Sequence, residues 1–122
     1  GWGSGGHLLY SNFDNNGVDG LYVRTGAVIY ANDSNASGNG DEGFEVQYAG
    51  SMYVSNSVSE NNGGYGFFGE RSSFMSLTYA TSTNNADYGV GVLKDSYLYE
   101  SGNTFSGNSS GSTRYGSSCY VE

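Results

Sequence analysis

The stretch Asn15-Asn16-Gly17-Val18-Asp19-Gly20-Leu21-Tyr22-Val23 returns two periods later as Asn61-Asn62-Gly63-Gly64-Tyr65-Gly66-Phe67-Phe68. In both, a glycine follows an asparagine by four residues and is itself followed by an apolar residue. The glycines Gly20, Gly43, Gly66 and Gly89 lie 23 residues apart, and so do Asn16, Asn39, Asn62, Asn85 and Asn108. A constant step of this size marks a solenoid, in which each coil buries its apolar side only against its neighbours.

Aligning the chain by this step shows which side chains face inward. Leu21, Phe44, Phe67 and Val90 form one column and Val23, Val46 and Val92 a second, alternating with Tyr22, Glu45, Phe68 and Gly91. That alternation describes a short strand with one buried face. A second strand carries Ile29, Met52, Met75 and Leu98, then Leu8, Ala31, Val54 and Leu77. A weaker third holds Phe13, Ala36, Ser59, Ser82 and Phe105. Helical repeats are excluded because no segment runs ten residues without glycine, asparagine or a β-branched residue. The fold class is therefore all-β, a parallel solenoid of about five coils. The asparagine column is expected to form a ladder, since amides stacked at the strand spacing of about 4.8 Å can bond one another along the axis. The residues before it, Asn15, Gly38, Asn61, Asn84 and Gly107, are the two types that accept positive φ most readily.

Composition narrows the function. Aromatics make up 16% of the chain and recur in register, which argues against disorder. With a net charge of −8 and only four Lys and Arg residues, neither nucleic acid nor an anionic membrane is a suitable partner. No stretch approaches the roughly 18 apolar residues of a membrane span. The single Cys119 has no partner for an internal disulfide. Residues 1–6 read as a linker or the truncated end of a preceding region, residues 7–122 as the solenoid domain, with the last coil irregular from about residue 106.

The quoted repeats resemble those of the pectate-lyase-like, right-handed parallel β-helix superfamily over roughly residues 7–105. The resemblance implies a right-handed, single-stranded parallel β-helix. It also brings several functional classes: polysaccharide lyases and hydrolases, bacteriophage tailspikes and fibres, and secreted adhesins. Members that are enzymes usually carry long insertions forming cleft walls, whereas four successive coils here have none. A uniform rod is more similar to a segment of a phage tail fibre or tailspike, which implies virion localisation, a homotrimer and contact with host cell-surface polysaccharide. The alternatives are a fragment of a polysaccharide lyase or glycoside hydrolase, or an adhesin at the cell surface.

Four groups of side chains are candidates for chemistry. Asp19 and Glu42 share a column, with Asp41 beside Glu42, and paired carboxylates can share a proton or bind calcium. As no further acid completes a cage and the turn lacks a cleft, a solvated turn is the preferred reading; no metal, cofactor or catalytic residue is assigned. Arg71 and Lys94 share a column with Tyr48, which can bind an acidic sugar or simply form an edge pair with Glu70. Tyr30, Tyr53 and Tyr99 form an outward column interrupted by Ser76, and Tyr65 and Tyr88 a second pair; the readings are subunit packing, glycan contact or a stabilising ladder. His7 lacks metal-ligand partners and is expected to be an outward residue of a terminal strand.

Overall fold

A computed structural model describes residues 4–122; the first half of the stretch read as a linker, residues 1–3, lies outside the described residues. The described residues form fifteen strands. In order they are β1 (Gly5–Leu9), β2 (Leu21–Arg24), β3 (Val28–Asn32), β4 (Asn35–Ser37), β5 (Phe44–Gln47), β6 (Ser51–Ser55), β7 (Val58–Glu60) and β8 (Phe67–Gly69), then β9 (Phe74–Thr78), β10 (Thr81–Thr83), β11 (Tyr88–Val92), β12 (Tyr97–Ser101), β13 (Thr104–Ser106), β14 (Gly111–Tyr115) and β15 (Tyr120–Val121). They stack as three parallel sheets, six-stranded (β1-β3-β6-β9-β12-β15), five-stranded (β2-β5-β8-β11-β14) and four-stranded (β4-β7-β10-β13). Every pairing keeps the 23-residue step, as in Leu21 with Phe44 and Phe44 with Phe67. The fold is the parallel β-solenoid that the repeat predicts. Two boundaries differ. Strand β1 already pairs at Gly5 and Gly6, and the last coil is regular, with β14 and β15 continuing two sheets.

The interior is filled by the columns anticipated from alternation. Phe44, Phe67, Met52, Met75, Leu77, Leu98, Val46, Val54, Val90 and Val92 are fully or almost fully buried. Phe44 and Phe67 stack with ring centroids 5.0 Å apart. The repeat glycines are there for close approach. A Cβ on Gly66 would lie 1.9 Å from Ser82 Oγ and 2.8 Å from the Gly89 carbonyl oxygen. The inward column of the four-stranded sheet is polar at its two central positions, where Ser59 and Ser82 donate to the carbonyls of Gly66 and Gly89 at 2.7 and 2.8 Å.

Corners are made by left-handed residues repeated in every coil. One corner uses Tyr10, Asp33, Asn56, Tyr79 and Gly102, another Asn15, Gly38, Asn61, Asn84 and Gly107. The third uses two in succession, Thr25-Gly26, Tyr48-Ala49, Arg71-Ser72 and Lys94-Asp95. Beside the second corner runs the asparagine ladder. Asn62 Oδ1 accepts both the backbone N–H and the Nδ2 of Asn39 at 3.0 Å, and Asn62 in turn donates both to Asn85 Oδ1 at 3.0 Å. The chain of amides runs unbroken from Asn16 to Asn108. Asn39, Asn62 and Asn85 are at most 3% exposed.

Replacing Asn62 by leucine strips acceptors from Asn39 and a donor from the Ala36 carbonyl. Each buried group so orphaned costs about 1–3 kcal/mol. Asn62→Leu is therefore expected to lower the denaturation midpoint well beyond Glu60→Ala, a partly exposed change of about 0.5 kcal/mol; chemical denaturation of the two variants checks it, and equal midpoints would refute it.

Candidate functional site

The outward side of the five-stranded sheet concentrates the chain's charged chemistry. Tyr22, Glu45 and Phe68 point outward from β2, β5 and β8, followed two residues later by Arg24, Gln47 and Glu70. Asp19, Glu42, Tyr65 and Tyr88 line its leading edge. Although these positions face away from the core, Glu42, Glu45, Gln47, Tyr65, Phe68 and Glu70 are all buried, because the side chains lie along the sheet and cover one another.

At one end of this face three carboxylates converge. Asp19, Glu42 and Glu45 each offer an oxygen within 4.8 Å of the others. Glu45 supplies the further acid that the sequence reading held to be missing: its strand position turns it outward, and the next coil's register brings it against Asp19. Burial, then the charge and hydrogen bond of Asp41, raise Glu42 to a pKa of about 9. Burial, then the hydrogen bond and charge of Asp19, raise Glu45 to about 8. Both carboxyls are thereby biased toward the protonated form well above the ordinary carboxylate range. The trio can alternatively hold a hard divalent cation through one oxygen each.

Towards the corner, polarity reverses. Gln47 donates to Glu45 and its Oε1 accepts from Arg71 at 2.6 Å and from the Tyr22 hydroxyl at 3.3 Å. Buried Glu70 pairs with both Arg71, at 2.6 Å, and Lys94, at 2.8 Å. The exposed Tyr48 ring lies between the guanidinium groups of Arg24 and Arg71, 5.2 and 4.8 Å from its centroid. Arg24, Tyr48, Arg71 and Lys94 thereby form one line along the axis, a coil apart. Sequence columns joined Tyr48, Arg71 and Lys94 but not Arg24, which stands one position earlier and reaches Tyr48 only by the length of its side chain.

The other tyrosines divide. Tyr65 is 6% exposed, stacked on Phe68 at 4.5 Å and nearer the edge on Tyr88 at 5.9 Å, and its hydroxyl accepts from Arg114 at 2.8 Å. Its ring passes over Gly91, where a Cβ would be 2.5 Å away. On the six-stranded sheet, His7, Tyr30, Tyr53, Phe74, Tyr97 and Tyr120 make one stack of rings 4.7–5.2 Å apart. The stack passes Ser76 by stepping sideways from Tyr53 to Phe74, so Tyr99 stands outside it. Because the rings cover each other's faces, Tyr30 and Tyr53 present edges and hydroxyls outward. Cys119 is a free thiol, half-buried against the core.

Comparison with known proteins agrees with this architecture. The chain matches the family model described as right handed beta helix region across residues 2–122, and it belongs to that family. No curated protein and no solved structure matches it.

The raised acids set a pH dependence. Glu42 and Glu45 keep protons in the folded chain that the unfolded chain releases above its ordinary carboxyl pKa of 4.5. Stability therefore falls as pH rises from about 5 to about 9 and levels off above that. Thermal melts across this range are expected to show that decline, and Glu42→Gln to flatten it; a melting temperature constant from pH 5 to 9 would contradict the assignment.

Proposed function

We propose that this chain is a non-catalytic, glycan-binding segment of a bacteriophage tail fibre or tailspike, located in the virion tail, and that its ligand is an acidic polysaccharide of the host cell surface. The observation that carries this reading is the line Arg24–Tyr48–Arg71–Lys94. Three of the chain's four Lys and Arg residues fall on this line, two of them over the exposed Tyr48 ring and the third one coil beyond, on a chain of net charge −8. Such a line offers an extended anionic polymer charge-assisted hydrogen bonds at successive coils, with Tyr48 as an apolar contact between them. The lack of insertions supports binding over turnover, since coils of constant length raise no walls around this face. Phage origin draws on the similarity of the uniform rod and of the tyrosine-, glycine- and asparagine-rich composition to tail proteins.

We also propose a homotrimer packed through the six-stranded sheet. Its outward positions carry no charge between His7 at one end and Glu122 at the other, so copies of an acidic chain can approach there without repulsion. Sedimentation at three times the monomer mass is the expected result, and a stable monomer at all concentrations would remove the trimer.

One observation favours a second reading, a glycoside hydrolase: Glu42, its pKa raised to about 9, lies beside Asp19, with carboxylate oxygens within 4.8 Å, so one carboxyl of the pair is biased toward the acid role. Its test is release of reducing ends from acidic polysaccharide, abolished by Glu42→Gln. For the binding reading, immobilised polygalacturonate is expected to retain the protein and neutral dextran to pass it. Arg24→Gln or Lys94→Gln should each weaken retention about five- to tenfold, and added salt should weaken it further. Equal binding to dextran, or indifference to both substitutions in a folded protein, would overturn it.

A further inference from the structure

We propose that Arg71 and Lys94, clamped from beneath by Glu70, form a subsite that takes one carboxylate of the ligand across both cations. The inference rests on the binding reading above and narrows it: the group recognised here is a uronate carboxylate, seated by its two oxygens at once.

The solenoid sets the pair. Arg71 and Lys94 are the first left-handed residues of the third corner in successive coils, which spaces their backbones about 4.8 Å along the axis. They lie inside the stack, with the Tyr48 corner before them and residues 116–118 after them. Glu70 shows what fits between the two heads. Its Oε1 accepts from Arg71 Nη1 at 2.6 Å and its Oε2 pairs with Lys94 Nζ at 2.8 Å, so the cations already stand at the bite of a single carboxylate. The Glu70 side chain is 8% exposed, whereas those of Arg71 and Lys94 are 39% and 56% exposed. One side of the pair is thus filled from within, and the other opens to solvent.

Donors and charge are left over on that open side. Arg71 spends Nη1 on Glu70 and on Gln47 Oε1, and Lys94 spends one N–H on Glu70. Arg71 Nε and Nη2 and the other two N–H groups of Lys94 have no acceptor among the described residues. Two cations share one carboxylate, so one positive charge stays in excess on a chain of net charge −8. The neighbouring Asp95 is exposed and makes no ion pair among the described residues. A ligand carboxylate on the open side makes charge-assisted bonds to both cations and balances the excess, which a neutral sugar hydroxyl cannot do. Tyr48 steadies the Arg71 guanidinium, which lies 4.8 Å from its ring centroid.

Titration calorimetry with trigalacturonate tests the subsite. Arg71→Gln and Lys94→Gln are each expected to weaken binding about five- to tenfold. Either substitution leaves the remaining cation neutralised by Glu70, so the double variant should lose little more than either single one, a coupling that separate contacts lack. Losses that multiply in the double variant would overturn the subsite and leave the binding reading standing. Because the double variant strips buried Glu70 of both cations and can fail to fold, the wild-type protein is also titrated with methyl galacturonoside, which carries a single carboxylate. The side-chain N–H resonances of Arg71 and Lys94 are expected to shift along one shared binding curve, and methyl galactoside to move neither. Movement of only one of them, or of neither while trigalacturonate still binds, would overturn the subsite alone. Absence of any trigalacturonate binding would overturn the underlying reading with it.

Discussion

The asparagine ladder is the interaction on which the remaining structure depends. A parallel solenoid has no hairpins to fix its register, and a slip of one residue would turn every inward side chain to solvent. Here each rung ties one coil to the next through two donors on a single amide oxygen and to a carbonyl 26 residues back. A wrong step would leave these buried groups unpaired, at about 1–3 kcal/mol each. With register held there, the other columns follow, including the phenylalanine stack inside and the ring stack outside.

That register also creates the electrostatic pattern of the five-stranded sheet. Acids from the first two coils meet at one edge, where burial and mutual repulsion raise the pKa of Glu42 and Glu45. Cations from the first, third and fourth coils meet near the corner, two of them drawn to buried Glu70. Gln47 joins the two halves by donating to Glu45 and accepting from Arg71. An overall acidic chain thus presents a local basic line to solvent.

Most of the fold is legible in the sequence because a fixed step converts residue number into position. The ladder, the three strands and the inward columns follow from that arithmetic. The site was less legible. Glu45 reads only as an outward strand residue, since nothing in the spacing shows that outward side chains here lie flat and shut out water. Arg24 falls one position from the column it joins, and the ring stack changes column at Phe74, because side chains reach sideways between columns that arithmetic keeps apart. The last coil lost its glycine marker at Ser112 and so read as irregular, although its backbone continues two sheets.

The most direct measurement is a nuclear magnetic resonance titration of the isotope-labelled protein with a short acidic oligosaccharide, read residue by residue. The account predicts shifts following the axis at Arg24, Tyr48, Arg71 and Lys94, with the ring stack of the six-stranded sheet unmoved. Shifts centred instead on Tyr30, Tyr53 and Tyr97, or none anywhere at saturating ligand, would contradict it.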